Sequence, residues 1–238
     1  MSSADGASIT DEVLEDCLQA LYRLTKGERP AEAGRAAELA QVELSLFQAA
    51  VRELASRGLV AETQDGLGLT EEGRRQGAGV VRRHRLSERL LTDILGIPWE
   101  RAHEEAMRFE HTLKPEAEAR LDRLLNHPET CPHGGPIPDA AGSAASPPNR
   151  TLDTIAAGGR VRIQQISEEE TPLLRYLASL GLLPEVEVRV EEVAPFGGPL
   201  LLQVGTARYA LGRDVAAKIL VREDGAAPPS GARTAESA

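Results

Sequence analysis

The hydrophobic period of this chain changes once, and that change limits what the chain can fold into. From Thr10 to about Asn126 apolar residues recur at helical spacing, with one short extended interruption. From Gly159 to Glu223, "GRVRIQQI", "EVEVRVEEV" and "LLLQV" alternate or run β-branched, which predicts short strands, with a helical insert "LLRYLASLG". Between the two lies "PETCPHGGPIPDAAGSAASPPN", Pro128 to Asn149, a stretch with the Pro, Gly, Ala and Ser composition of a linker. The expectation is a mainly α protein with β, built from several small domains, the last a small β-barrel.

The first block is the most readable. "DEVLEDCLQALYRL" places Val13, Cys17, Leu21 and Leu24 on one apolar stripe, with Leu14, Leu18 and Tyr22 adjoining. "AEAGRAAELA" and "SLFQAAVRELASRG" are two short helical patterns, the second stopped by Gly58. "LVAETQDGLGLTEEGRRQG" reads as strand, hairpin at Asp65-Gly66, strand, and a helix capped by Thr70. Three helices followed by a hairpin outline a winged helix-turn-helix over residues 8–77.

In that motif the second helix of the pair enters the major groove, here from Ser45 to Arg57. With Phe47, Val51 and Leu54 turned inward, the groove side shows Ser45, Leu46, Gln48, Ala49 and Arg52. Gln48 suits an adenine edge, and Leu46 and Ala49 suit thymine methyls. Glu43 faces phosphates with the wrong sign. Arg29, Arg35, Arg52 and Arg57 surround the motif as backbone contacts, and Arg74 and Arg75 follow the wing.

Residues 78–127 read as helical throughout, and one run there is unusual. "HEEAMRFEH" carries His103, Met107 and His111 at i, i+4, i+8, on one helix face, with Glu110 close to it. Imidazole, carboxylate and thioether on one stripe are metal-ligand types, while the plain alternative is an amphipathic helix with a solvated side. Leu86, Leu90, Leu91, Ile94 and Leu95 supply more apolar surface than so small a block can bury alone, which predicts a dimer through it.

Composition narrows the function. A net charge of −10 argues against bulk electrostatic binding of nucleic acid or acidic membranes, though not against a local basic surface. The two cysteines, Cys17 and Cys131, have no paired spacing and fit a reducing compartment. Cys17 fits the apolar stripe, and Cys131 with His133 in a Pro-rich loop reads as structural. No signal peptide or membrane span is apparent, so a cytoplasmic location is expected. With no phosphate loop and no Ser-His-Asp arrangement, an enzyme is not expected.

The stretch "HRLSERLLTDILGIPWERAHEEAMRFEH", His84 to His111, resembles the dimerisation and metal-binding helices of the diphtheria toxin repressor family of metal-dependent transcriptional regulators. "GLV…LTEEGR" resembles that family's wing and "PHGGPIP" its following loop. "LASLGLLPEVEV", "APFGGPL" and "ALGRDVAAKILV" resemble the SH3-like domain shared with the ferrous-iron-transport protein A. The resemblance implies a helical metal-binding and dimerisation domain over 78–127 and an SH3-like domain over 151–223, while composition predicts a linker over 128–150 and a disordered tail over 224–238. It implies one metal site of His84, Glu88 and His103, with an acidic ligand from the last domain at Glu169, or at Glu168 or Glu170 if the register slips. The family glutamine three residues on is Pro172 here.

The resemblance implies a second, activating site of Asp16 from the first helix with Met107, Glu110 and His111. Iron-type members have methionine and cysteine where this chain has Asp16 and Met107, and manganese-type members have two carboxylates, so the chain matches neither subtype cleanly. Together these readings predict a homodimeric repressor of iron or manganese homeostasis, activated by ferrous iron, with manganese as the alternative, and bound to a palindromic double-stranded operator. The alternative function is a metal-responsive protein that has lost operator recognition and acts through protein partners.

Overall fold

Helix α1 (Asp11–Leu24) starts where Thr10 Oγ1 accepts the Val13 N–H at 3.3 Å, with Asp11 and Glu12 in its first turn. The computed structural model describes residues 9–25, 29–145, 150–168 and 170–223. They divide into two units, the described residues within 1–84, 110–114 and 138–143 forming one and those within 85–109, 115–137 and 144–238 the other.

In the first unit the apolar stripe of α1 is buried as its spacing predicts. Leu14, Cys17, Leu18 and Leu21 share a core with Ala36 and Ala37 of α2 (Ala33–Leu39) and with Phe47, Ala50, Val51 and Leu54 of α3 (Leu44–Ser56). Strands β1 (Val60–Thr63) and β2 (Gly66–Leu69) form the antiparallel wing, Val60 opposite Leu69. The turn falls one residue earlier than the sequence places it, because Gly66 opens β2. Gly66 has φ +136°, and a Cβ there would lie 2.6 Å from Ala31 O. That close approach lets Ala31 pair with Leu67 and tie the wing to the segment before α2.

Thr70 Oγ1 accepts the Gly73 N–H at 3.0 Å and caps α4 (Glu71–Arg89). The helix runs unbroken through residues 77 and 78, where the sequence reading changes domain, and the division between units falls after His84.

The second unit begins with the end of α4 and a π-helical turn, Leu90–Ile94. Helices α5 (Trp99–Phe109) and α6 (Pro115–Leu124) follow. Beyond them β3 (Arg160–Ile166), β4 (Glu187–Val193), β5 (Leu200–Val204), β6 (Ala207–Leu211) and β7 (Ile219–Glu223) form an antiparallel sheet in the order β6-β5-β4-β3-β7. Helices α7 (Thr171–Ser179) and α8 (Arg213–Ala216) complete it. Alternate residues such as Val161, Ile163, Val188 and Val190 face inward against Leu174 and Leu177 of α7. This is the small β domain that the strand patterning predicts, in the place where the resemblance implies an SH3-like domain.

Two features depart from the sequence reading. The helix carrying His103 stops at Phe109, and Glu110–Thr112 tightens into a 3-10 turn closed by Leu113 N–H to Glu110 O at 3.2 Å. His103 and His111 therefore do not share one helix face. The loop with linker composition is also not free: Cys131 and His133–Pro138 are buried. Cys131 N–H bonds Gly135 O at 2.8 Å, and Ile166 N–H bonds His133 O at 3.0 Å, which lays the loop along β3.

Candidate metal centre

In the first unit the polar side of α1 meets the turn Glu110–Thr112. Asp16, Glu110 and His111 each bring one ligand-type atom within 4.8 Å of the others. His111 Nε2 stands 3.2 Å from Asp16 Oδ1, and its Nδ1 is 2.8 Å from Glu15 Oε2. Glu110 is fully buried, with Oε1 accepting Gln19 Nε2 at 3.0 Å and Oε2 meeting His84 Nδ1.

The electrostatics are strongly acidic. The carboxylates of Asp16 and then Glu15 push His111 up to about 10, against burial. Burial would raise Glu15, but the His111 hydrogen bond and the Arg83 charge outweigh it and hold the carboxyl below its usual value. Burial and the Asp16 charge push the Cys17 thiol up to about 12, as suits a core side chain rather than a ligand.

These residues suit a divalent cation. Two carboxylates and an imidazole converge, and Asp16 Oδ1 is buried without an aligned hydrogen-bond donor although His111 Nε2 lies nearby. Met107 is half-buried on α5, in the second unit.

The second unit holds another cluster. Glu88, at the end of α4, has Oε1 3.5 Å from His103 Nδ1 and 3.3 Å from His133 Nδ1. Glu88, Cys131, His133 and Glu168 each offer an atom within 4.8 Å of the others, and all four are buried. Burial, then the charges of Glu88 and Glu168, raise the Cys131 thiol. The Glu88 charge overcomes burial and pushes His133 up to about 11. His133 Nε2 donates to Trp99 O at 2.8 Å when protonated there, which leaves Nδ1 facing the carboxylates. Two buried carboxylates beside a thiol and two imidazoles again suit a cation.

Of the set expected from the sequence, Glu88 and His103 come together, with Glu168 as their acidic neighbour. Glu169 lies outside the described residues. His84, one turn before Glu88 on α4, turns its Nδ1 to Glu110. Cys131 and His133 were readable only as a structural loop. The signal for more was the Cys-x-His-Gly-Gly spacing: Gly134 has φ +84°, and its Cβ would fall 1.8 Å from Gln164 O, so only glycine lets the loop press onto β3.

On the recognition helix Ser45, Gln48 and Arg52 are exposed, and Leu46 and Ala49 are half-buried. Leu44, at its first turn, is 46% exposed, and Glu43 forms no side-chain cap. Gln48 and Arg52 line an open groove of about 530 Å³ with Glu62 of the wing. Arg29 is exposed, Arg35 pairs with Glu38 at 3.3 Å, and Arg57 pairs with Glu53 at 2.8 Å.

The family model described as iron dependent repressor, metal binding and dimerisation domain, matches residues 70–139, and the FeoA domain model matches residues 150–223. The iron-dependent repressor IdeR of Mycobacterium bovis is 33% identical over 226 residues, covering 89% of this chain and 97% of its own. The diphtheria toxin repressor of Corynebacterium diphtheriae is 38% identical over 166 residues, covering 66% of this chain and 73% of its own. A solved manganese-dependent transcriptional repressor in complex with manganese matches with TM-score 0.82 at 32% identity, covering 88% of this chain and 99% of its own. In sequence and in fold, the chain belongs to the iron-dependent repressor family of metal-dependent transcriptional regulators.

Proposed function

We propose that this protein is a homodimeric repressor whose operator binding is switched on by a divalent metal held by Asp16, Glu110, His111 and Met107, with ferrous iron as the physiological ion and manganese as the alternative. The observation that carries the reading is the convergence of Asp16 on α1 with Glu110 and His111 on the turn after α5. A bound cation would supply a positive charge that draws these acidic groups together. The rest follows from α1 itself. Its apolar face shares a core with the recognition helix α3, while its polar face carries Glu15, Asp16 and Gln19 to the turn. Fixing one face of α1 fixes the frame that α3 packs against.

The second cluster, Glu88, His103, Cys131, His133 and Glu168, reads as an accessory metal site, for which the buried donors give the support. His84 stands one helical turn from Glu88 and belongs with either set. DNA contact rests on Ser45, Leu46, Gln48, Ala49 and Arg52 for bases and on Arg29, Arg35 and Arg57 for phosphates. The homodimer draws support from Ile94, Leu95, Phe109 and Leu124, all exposed apolar residues of the second unit.

The metal preference rests on Met107, a soft thioether that manganese(II) tolerates less well than ferrous iron does. Met107→Glu makes the ligand set all hard. Operator binding titrated anaerobically with each ion should show the variant moved from iron towards manganese. If wild type already prefers manganese and the variant behaves alike, Met107 is a packing residue and iron is the wrong assignment.

A further inference from the structure

Glu15 precedes Asp16 on α1 and has no place in the proposed ligand set, yet both of its oxygens are engaged. Oε2 lies 2.8 Å from His111 Nδ1, and Oε1 accepts Arg83 Nη2 of α4 at 2.6 Å. The other ring nitrogen of His111 is the one beside Asp16. The imidazole is thus gripped on its far edge while its near edge faces the site. Arg83 has a side chain only 18% exposed, so this ion pair is not an ordinary surface contact.

The geometry points to Glu15 as the positioning residue of the activating metal site, with Arg83 as its anchor. This inference rests on the proposed site of Asp16, Glu110 and His111. A histidine ring has a broad, roughly two-fold torsion about its last bond, so either nitrogen can face a ligand. A carboxylate on Nδ1 holds the proton there, fixes the tautomer and leaves Nε2 to ligate. A glutamate is too flexible to do this alone, since its side chain loses considerable rotamer freedom when held. Arg83 removes that freedom by binding the second oxygen. Gln19 acts in the same way on Glu110, which places two outer hydrogen bonds from α1 on the two ligands of the turn.

The test is equilibrium dialysis of the full chain with manganese(II), comparing wild type, Asp16→Ala, Glu15→Ala, Glu15→Gln and Arg83→Ala, with melting of each metal-free protein. Asp16→Ala identifies which class of bound ion belongs to this site. Glu15→Ala should weaken that class about 10- to 100-fold, with the melt showing that the metal-free protein is still folded. Glu15→Gln keeps a carbonyl acceptor for Nδ1–H and should recover affinity to within about fivefold of wild type. Arg83→Ala should fall between the two. If Asp16→Ala loses no class of ion, the site itself is misassigned. If it loses one while Glu15→Ala holds that class within about twofold, the site stands and the positioning role is overturned. A Gln variant as weak as the Ala variant would also overturn it, by making Glu15 a ligand or a bare charge.

Discussion

His111 shows how much one residue carries. In the metal-free protein its ring sits between Asp16 and Glu15, and its pKa is raised to about 10 from an ordinary 6.5. A group raised on folding stabilises fully below its unfolded pKa and loses that contribution as pH climbs through the folded one. The metal-free protein should therefore lose stability between about pH 6.5 and pH 10. His111→Gln should flatten that slope in melts taken across the range, and parallel curves for the two proteins would show that the imidazolium is not held as described. The residue types of this site were legible, because Glu110 and His111 stand out in a helical run. Glu15 and Gln19 were not. A periodicity reading sorts α1 into apolar and polar sides, and their partners lie 96 and 91 residues away in sequence.

At the scale of elements, the segments that sequence reading handled well are those whose period is strong. The stripe of α1 and the Phe47, Val51, Leu54 set of α3 are buried as expected. Leu21→Ala, at a fully buried position in that core, should cost about 2–5 kcal/mol in denaturant unfolding. Local turn chemistry was harder. The helix α5 stops at Phe109, short of His111, and the wing turn shifts because Gly66 must pass close to Ala31. The loop 131–138 has linker composition, but its two glycines serve close packing. Gly134→Ala meets Gln164 O and should lift the loop from β3. Cys131 and His133 would then be lost to the accessory site while the Asp16 site kept its affinity. The fluorescence of Trp99, the single tryptophan, reports on this: its ring centroid is 5.3 Å from that of His133. A Gly134→Ala protein whose Trp99 emission and metal stoichiometry match wild type would contradict the role given to the loop. The recognition helix invites a matching test, since exposed Leu44 and half-buried Leu46 suit thymine methyls. Replacing operator thymines by uracil should weaken binding by about 1 kcal/mol or more per contacted base, and equal affinity would deny that contact.

For the whole molecule, sequence reading expected the dimer surface on Leu86, Leu90, Leu91, Ile94 and Leu95. The chain buries Leu86 and Leu91 for itself and leaves Ile94 and Leu95 at 54% and 60% exposure. Phe109 and Leu124 add to the exposed apolar surface of the second unit. On the proposed dimer a second copy would cover these side chains. Leu95→Asp should yield a monomer by light scattering at micromolar concentration, and a wild-type monomer under those conditions would remove the dimer from the account.

The most direct measurement of the central claim is anaerobic titration of operator duplex, selected from a random pool, with wild type, Asp16→Ala and His111→Ala at rising ferrous iron. Wild type should bind about 5- to 150-fold more tightly with metal than in chelator, the range typical of coupled sites, and both variants should lose that gain. Operator binding that is indifferent to chelator, or metal activation that survives in both variants, would contradict it.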